Sequence, residues 1–553
     1  MCRSFAWALI AAWIGIDPEL HAQSAASQNA DIVAAVSAAS ALLSPSALAH
    51  GALQALQALY SRPGTTLLWS HSGRATSQAQ ALLLLLQDPE GYGLEGKDYI
   101  GTDANGRALF QLPSDPANEL LWTQFDARLS AAVLHFIADL HFGRVSPEAA
   151  GFKLREERAP FDLAAALERL SVAPDVNSAL TTVEPPFYHY ALLKEALARY
   201  RKIKRLPLAE LPPVPKALKV GDSYAGVPAL RSFLGAGGDL PGGASAPQTD
   251  LTFDASLRDA VRSFQLRHGL SVNGKLDKAT LASMRTPPAQ RIRQITLTLE
   301  RWRWLTPFKT PPIIVNIPQF RLFAFRTTED RVADILQMDV IVGRTYPQTQ
   351  TPVFEGNMRY VILRPYWDVP YNITQHEMLA KIRANPAYMT AQHLEIASGS
   401  DDSSPAVPLT PESLDALAAG KLRLRQLPGE DNALGLAKFI FPNNYNVYLH
   451  STPAHALFGE SVRTFSHGCI RVSDPLTLAT LVLKDAQGEW TREKVDAAMH
   501  GTRSVRVNLK QPINVLILYG TALATEAGPV FFFDDVYGYD KRLEQQLGLS
   551  PVQ

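Results

Sequence analysis

The sequence has few cysteines, no excess of either charge and no long apolar run. Only 2 of its 553 residues are cysteine, which excludes a disulfide-rich scaffold, an all-cysteine zinc site and a cysteine-bound iron–sulfur cluster. The 53 Lys and Arg residues balance 53 Asp and Glu residues, so the chain lacks the basic surplus typical of nucleic-acid binding and we expect no nucleic-acid partner. Because single cores stop growing near roughly 250–300 residues, we expect about two to four domains.

The N-terminus has the pattern of an export signal. Twelve apolar residues at positions 5–16 follow a short basic start, and small residues follow Ala22. A membrane span needs about 20 apolar residues, so the run predicts a signal peptide over residues 1–22 that is cleaved near Ala22. Retention of the signal as a membrane anchor is the alternative. Cleavage would remove Cys2 and leave Cys469 as the only thiol.

The remaining sequence divides into a linker and three domains. Residues 23–48 are rich in Ala and Ser and predict a linker, and residues 49–205 predict a helical scaffold domain. Within the latter, apolar residues of the segment 120–142 recur every three to four positions, which indicates a helix. A proline-rich joint then opens residues 206–290, which predict a small three-helix module.

From residue 291 the pattern is typical of β-structure. Short runs rich in β-branched and aromatic residues, bounded by turn residues, predict strands from residues 313–317 to residues 530–533. A more polar, helical segment interrupts them at residues 374–438. We therefore predict a multidomain α+β protein whose third domain, residues 291–545, is a β-rich sandwich or barrel with a helical lid insertion.

One segment carries most of the candidate chemistry. Cys469 directly follows the pair His467-Gly468, and His450 lies 19 residues earlier (469 − 450), after a predicted strand. A nucleophilic cysteine reacts as its thiolate, which a neighbouring histidine or other cation favours. Gly468 permits a tight turn that exposes the sulfur, and backbone N–H groups of such a turn can form an oxyanion hole. The pattern predicts a cysteine nucleophile with His450 as its base.

Three other interpretations use the same segment. Cys469 is alternatively a structural cysteine beside incidental histidines. A zinc site would draw on His450, His455, His467 and Cys469. Two of those ligands are only two residues apart, unlike the usual structural ligand pairs. A serine nucleophile at Ser451 or Ser466 would lack both a G-x-S-x-G elbow and an acid partner. We expect neither a metal nor a cofactor.

The segment resembles the signature of L,D-transpeptidases with a YkuD-type catalytic domain. The likeness is carried by Ser466-His467-Gly468-Cys469-Ile470-Arg471, with His450 upstream. Residues 300–304, 315–318, 350–352, 366–370 and 534–538 also resemble motifs of the large periplasmic YcbB-like subgroup. Residues 218–284 are similar to a peptidoglycan-binding type 1 module.

The resemblance implies a periplasmic enzyme that cross-links the cell wall. The donor would be a tetrapeptide stem with meso-diaminopimelate at position three. The acceptor would be a second diaminopimelate, giving a 3→3 cross-link through a cysteine thioester. An L,D-carboxypeptidase or endopeptidase with the same thiol, and an inactive wall-binding scaffold, are the alternatives. The resemblance also implies reaction with carbapenems and wall-synthesis proteins as partners, and we expect a monomer.

The resemblance further implies roles for the residues around the thiol. The backbone carbonyl of Ser451 would orient the ring of His450, while His467, Gly468 and Cys469 would form the oxyanion region through backbone N–H groups.

Substrate binding has four candidate residues. They are Arg471, Trp367, Tyr448 and Ser466. The alternatives are a buried, structurally paired side chain for the arginine and core packing for the two aromatics. The insertion 374–438 would cap the active site and exclude water, which competes with the acceptor amine. The 218–284 module would tether the enzyme to the wall.

Overall fold

The computed structural model describes residues 31–62, 66–100, 110–154, 160–240, 250–328, 330, 334–346, 349–399, 401–526, 528–550 and 552. The predicted signal peptide, residues 1–22, lies outside these residues, so its cleavage or retention stays a prediction. Within the described ranges, no helix combines the length and the apolar character needed to cross a membrane.

The first compact unit is helical and comprises the described residues up to 144 together with residues 160–185. Its helices are residues 31–39 (α1), Pro45–Ala49 (α2), Ala52–Tyr60 (α3), Ser77–Gln87 (α4), Glu119–Phe142 (α5), Leu163–Ser171 (α6) and Val176–Leu180 (α7). A short hairpin pairs Ser70–His71 (β1) with Arg74–Ala75 (β2). The predicted helical scaffold is thereby confirmed.

Helix α5 lies at the centre of this unit. The Asn118 side chain caps its start by accepting a hydrogen bond from the Leu121 N–H at 3.1 Å. Side chains on all its faces are buried, as expected of a helix surrounded by other elements. Asp126 is among them, and it accepts hydrogen bonds from the backbone N–H groups of Leu68 and Trp69 at 3.0 and 2.7 Å. This carboxylate therefore has a structural role.

The described part of the predicted linker is also structured. Residues 31–48 form α1, a 3-10 turn at Ser40–Leu42 and most of α2. Ile32 and Val36 are buried in the scaffold core, because their spacing of four residues places them on one face of α1, and Ala47 of α2 is buried in the same core. Residues 31–48 are thus part of the scaffold core and do not act as a spacer.

The second compact unit, residues 145–154 and the described residues from 186, contains the small module. Helix Tyr188–Lys204 (α8) precedes it, its own helices are Val227–Gly237 (α9), Ala255–Arg267 (α10) and Lys278–Met284 (α11), and Pro288–Arg303 (α12) follows it. Asp254 and Asp277 cap α10 and α11 through hydrogen bonds from the N–H groups of Leu257 and Thr280 at 2.9 and 2.8 Å. The three predicted helices are confirmed.

Nine described strands of the third domain form one sheet. They are Ile313–Asn316 (β3), Arg321–Ala324 (β4), Leu336–Gly343 (β5), Glu355–Leu363 (β6), Ala437–Ile440 (β11), Leu449–His450 (β12), Thr464–Ser466 (β13), Ile470–Val472 (β14) and Val505–Leu518 (β15). Their order is β13-β5-β14-β12-β11-β6-β15-β3-β4, and β4 also pairs with β5. Eight strands therefore close into a ring, which removes exposed sheet edges.

Strand β15 differs from its prediction. The sequence predicts two strands, residues 504–508 and 513–519, whereas the structure has a single strand with a register shift between Asn508 and Ile513. Pro512 lies in the shifted stretch, where a residue without a backbone N–H interrupts the ladder but not the strand.

The insertion, predicted at residues 374–438, extends in the structure from Trp367 to Gln426 and contains a sheet as well as helices. Strands Trp367–Asp368 (β7), Leu394–Ala397 (β8), Ala406–Val407 (β9) and Arg423–Gln426 (β10) pair in the order β7-β10-β8-β9. The helical elements are Tyr371–Ile373 (α13), a π-helical turn at Thr374–Met378, Leu379–Ala384 (α14), Ala387–Ala391 (α15) and Pro411–Ala418 (α16). Its own apolar core includes Leu379, Ile382, Ile396 and Leu424, so the insertion is a small α+β subdomain.

The C-terminal part of the unit packs around the ring. It comprises helices Pro475–Leu483 (α17), Arg492–Met499 (α18) and Tyr539–Gln546 (α19), and a hairpin of Ala522–Ala524 (β16) with Val530–Phe532 (β17).

The buried Arg267 of the module donates hydrogen bonds to the Tyr200 hydroxyl at 3.1 Å and to the Val530 carbonyl at 3.3 Å. The predicted multidomain α+β class is confirmed.

Candidate active site

Three neighbouring strands align polar side chains on one face of the ring. His450 of β12 pairs with Lys438 of the antiparallel strand β11 and with Arg471 of the parallel strand β14. Residues directly opposite each other on paired strands project to the same face of a sheet. Lys438, His450 and Arg471 therefore form one row across the sheet, and Cys469 is two residues from Arg471 on the same side of its chain.

The His450 ring is buried and held through one of its nitrogens. Its Nδ1 lies 2.5 Å from the backbone carbonyl oxygen of Ser451. Because a carbonyl only accepts, Nδ1 carries the hydrogen and Nε2 keeps the lone pair. Burial, and then the Arg471 cation, lower the pKa of His450 to about 3. The imidazole is therefore neutral at neutral pH and keeps a lone pair on Nε2, while the same burial makes it a weaker base than an exposed histidine.

Cys469 follows a turn that side-chain hydroxyls hold in place. Gly468 has φ of +118°, a conformation that a residue with a Cβ rarely adopts. The buried Ser466 hydroxyl accepts from the Gly468 N–H at 3.1 Å and donates to the Cys469 carbonyl at 2.5 Å. Thr351 Oγ1 donates to the Gly468 carbonyl at 2.8 Å. The peptide on each side of Gly468 is thereby fixed.

The same contacts limit which amides can serve as the oxyanion donors. The Gly468 N–H already donates to Ser466, so the amides of His467 and Cys469 are the ones left to form an oxyanion hole. The Ser466 hydroxyl makes both of its hydrogen bonds within the turn. This predicted substrate-binding residue therefore has a structural role. The interpretation of Ser466 as a nucleophile has no support in this arrangement.

The thiol of Cys469 is half-buried among groups that act on it in opposite directions. Burial raises the pKa of Cys469, while hydrogen bonds from the backbone and side chain of Tyr448, and then the cations Lys438 and Arg471, lower it. Sγ also lies 3.5 Å from the Asn446 carbonyl oxygen. The resting pair is thus a neutral thiol and a neutral imidazole, and the thiolate forms when a proton is taken.

His467 turns its ring toward the insertion. Its Nε2 lies 3.1 Å from Glu377 Oε1, and Glu377 belongs to the π-helical turn Thr374–Met378. Single π-helical turns are frequent at functional sites. This contact joins the insertion to the residue that precedes the Gly468 turn. No local pattern points to Glu377, because its partner is 90 residues away (467 − 377).

The predicted substrate-binding residues occupy different positions. Tyr448 lies beside the site, with its ring centroid 5.7 Å from that of His450. Arg471 is half-buried, and its Nε has no hydrogen-bond partner among the described residues. Trp367 lies on β7, pairs with Gln426 and packs against the core of the insertion. The structure therefore groups Tyr448 and Arg471 with the thiol and gives Trp367 a place in the insertion.

A hydrogen-bond chain lies behind the turn, and no motif in the sequence predicts it. The Thr351 hydroxyl that bonds Gly468 also accepts from the Gly343 N–H at 2.9 Å. The Tyr537 hydroxyl donates to the Gly343 carbonyl at 2.6 Å and accepts from the Thr351 N–H at 3.3 Å. The segments 350–352 and 534–538 stood out only through their resemblance to a subgroup. In the structure both segments hold the turn at Gly468 through hydrogen bonds.

Lys438 was also missed. Its signal in the sequence is a single lysine within the run Ala437–Ile440, which otherwise consists of apolar residues. Its Nζ lies 4.3 Å from the ring centroid of Tyr448. A cation at this position is close enough to a neutral phenol ring for a cation–π interaction.

A separate cavity of about 750 Å³ lies away from the thiol. Residues of the module and of strands β3 to β5 contribute to its lining, and none of the predicted catalytic residues does. Two of its arginines, Arg321 and Arg463, both pair with Asp339 at 2.9 Å. Throughout the described ranges, the cavity included, no group of three or more His, Cys, Asp or Glu side chains is arranged to hold a metal ion.

Three family models match successive parts of the chain. Residues 54–197 match a model described as "Scaffold domain", residues 226–284 one described as "Putative peptidoglycan binding domain", and residues 311–507 the YkuD model, described as "L,D-transpeptidase catalytic domain". These matches confirm the catalytic domain and the module that the sequence motifs predicted. The narrower YcbB-like assignment stays a prediction.

Two individual proteins are similar to parts of this chain. A Haemophilus influenzae protein titled "Putative L,D-transpeptidase" is 31% identical over 251 residues, which are 45% of this chain and 49% of that protein. The chain thus spans about half the length of this relative. The crystal structure of a fused Zn-dependent amidase/peptidase/peptidoglycan-binding domain-containing protein from Clostridium acetobutylicum covers 55% of this chain and 100% of its own at 12% identity and a TM-score of 0.14. That similarity is too low to carry an argument.

Proposed function

Because this chain carries an L,D-transpeptidase catalytic domain, we propose that it joins peptidoglycan stem peptides through a thioester on Cys469. The observation that carries the proposal is the pairing of β12 with β14. It sets His450, held by the Ser451 carbonyl, on the strand next to the one that follows Cys469. A thiol, a neutral base and free backbone amides are the groups that acyl transfer requires, and no cofactor enters the reaction.

The reaction proceeds in two halves. In the first, Cys469 Sγ attacks the carbonyl carbon of diaminopimelate at position three of a tetrapeptide donor, and His450 takes the thiol proton. The C–S bond forms, the C–N bond to the terminal D-alanine breaks, and His450 returns the proton to the leaving amine. In the second, the side-chain amine of another diaminopimelate attacks the thioester. A 3→3 amide forms, the C–S bond breaks, and the amine's proton returns through His450 to the sulfur.

Arg471 supports recognition of the stem peptide. Its guanidinium lies in the row with His450, and its buried Nε has no partner among the described residues. An arginine whose hydrogen-bonding capacity is unused favours a carboxylate ligand. Stem peptides carry such carboxylates, so Arg471 binds the donor near the scissile carbonyl.

The insertion supports transfer over hydrolysis. Glu377 contacts His467 at 3.1 Å, which brings the π-helical turn of the insertion against the catalytic turn. A cover of this kind restricts water, the competitor of the acceptor amine. The module at residues 226–284 holds the enzyme near polymeric wall. Export by the N-terminal signal, periplasmic location, wall-synthesis partners and a monomeric state belong to the same proposal.

Purified tetrapeptide muropeptides test the reaction. We expect cross-linked dimers from the wild-type chain and none from Cys469→Ala. Release of tripeptide monomers without dimers would replace the proposal with the L,D-carboxypeptidase, and turnover of neither kind would favour the inactive scaffold. A carbapenem tests the nucleophile separately. We expect a covalent mass adduct on the wild-type chain and on the control Cys2→Ser, and an undiminished adduct on Cys469→Ala would contradict the assignment.

A further inference from the structure

Lys438 is a cation that the reaction described above leaves unused. It lies directly opposite His450 in the β11–β12 register, and its Nζ lies 4.3 Å from the ring centroid of Tyr448. Tyr448 in turn lies beside the thiol: its carbonyl accepts a hydrogen bond from the N–H of Ile470, the residue after Cys469, at 3.0 Å, and Tyr448 lowers the pKa of Cys469. A path of two contacts therefore joins the ammonium to the thiol.

The charge of Lys438 is poorly compensated at rest. The side chain is half-buried, and no carboxylate of a described residue lies within 4.0 Å of it. Asp402 faces it from farther away, with its own oxygen occupied by the Ser504 hydroxyl at 3.2 Å. A partly desolvated charge without an ion partner is costly. A cation placed in this way beside a thiol is suited to balance an anion that is present during only part of the reaction.

His450 cannot supply that counter-charge before it takes a proton. Burial holds the pKa of its ring at about 3, so the histidine is neutral when the thiolate begins to form. The permanent cations that face the sulfur are Lys438 and Arg471, and of the two Lys438 acts on it more strongly. Arg471 itself faces another cation, Arg344.

We propose that Lys438 is the positioning residue that favours the thiolate form of Cys469, acting through Tyr448. This inference rests on the proposed role of Cys469 as nucleophile. The ammonium polarises the phenol that hydrogen-bonds the sulfur and places a positive charge behind it. As the proton passes to His450, the positive charge of Lys438 stabilises the negative charge that develops on the sulfur. This electrostatic interaction ends when the thioester forms, because the sulfur is then neutral.

The pH dependence of Cys469 alkylation by iodoacetamide tests the proposal, in a Cys2→Ser background so that one thiol reacts. We expect Lys438→Met to raise the apparent pKa of Cys469 by about one unit and to slow alkylation at pH 7 by about tenfold. Lys438→Arg keeps the charge and should restore the rate to within about threefold. Lys438→Gln removes the charge but keeps a polar end group. It replaces Lys438→Met in the same measurement if the methionine variant does not fold.

Arg506→Met is the matched control. Arg506 projects into the same row, two strands farther on, because it pairs with Ile362, which pairs with Lys438. Its guanidinium lies 3.7 Å from the ring centroid of Tyr360, so its removal deletes one charge and one cation–π contact without touching the thiol. We expect its alkylation profile to match that of the wild type.

Two results would overturn the proposal. One is a Lys438→Met profile that superimposes on the wild-type profile, whether or not the KM for stem peptide rises. A rise in KM alone would assign the ammonium to a substrate carboxylate. The other is an equal shift in Arg506→Met. Alkylation needs neither donor nor acceptor peptide, so this test can be read even if the protein does not cross-link stem peptides. Conversely, an unchanged alkylation profile in Lys438→Met would not contradict the proposed transpeptidation.

Discussion

The neutral, buried state of His450 predicts how the stability of the third domain depends on pH. The ordinary pKa of histidine is 6.5, and burial and the Arg471 cation lower the pKa of His450 to about 3. Between these values the unfolded chain binds a proton that the folded chain excludes. The free energy of unfolding therefore rises with pH across this window and is lost as the pH falls below 6.5.

The size of the effect follows from the two pKa values. At pH 4.5 the neutral histidine contributes about 2–3 kcal/mol less to the stability of the folded state than it does well above pH 6.5, whereas at pH 6.5 the loss is less than about 1 kcal/mol. His450→Gln cannot titrate. We expect the wild type to lose about 2 kcal/mol more than this variant between pH 6.5 and pH 4.5.

Urea unfolding at the two pH values measures this difference. Pulsed hydrogen exchange, followed by mass spectrometry of peptides from the nine-stranded sheet, reports the unfolding of the third domain alone. His268, whose pKa is also lowered by burial, is present in both proteins and cancels. Equal losses in wild type and His450→Gln would refute the assignment of a buried, neutral base.

Two further predictions concern the turn that presents the thiol. Thr351→Val removes the hydroxyl between the Gly343 N–H and the Gly468 carbonyl; we expect a loss of about 1–3 kcal/mol in unfolding free energy and slower carbapenem acylation, with Thr351→Ser near wild type in both assays. Gly468→Ala adds a Cβ whose nearest neighbour is 3.7 Å away, so its cost is backbone strain of about 1–3 kcal/mol; we expect a lower melting temperature and slower acylation, and an unaffected acylation rate would show that the turn geometry is dispensable.

Local signals explain which parts of the fold could be predicted. Helix α11 spans residues 278–284 as predicted, because Asp277 supplies an N-cap and the apolar spacing fits a helix. The candidate thiol and base were also visible, since Gly468 next to Cys469 is a local pattern. Patterns of this kind involve only neighbouring residues, so they can be recognised without knowledge of the tertiary structure.

Contacts between distant segments could not be predicted. Thr351 reaches Gly468 across 117 positions, and Lys438 meets the site only through the register of β11 with β12. Strand pairing of this kind is set by packing and loop closure over the whole domain. The predicted linker was misjudged for the same reason, because the alanine-rich helix α1 gains its stability by burying Ile32 and Val36 in the scaffold core.

The closed ring of strands has a consequence for the order of events during synthesis. Strand β3 pairs with β15, and their paired residues Ile313 and Val515 are 202 positions apart (515 − 313). The ring cannot close until the ribosome has made almost all of the third domain, and contacts this distant in sequence form slowly. The helical scaffold has no such dependence. The thiol site, whose His450 and Arg471 lie on strands of this ring, is therefore completed only after most of the third domain has been synthesised.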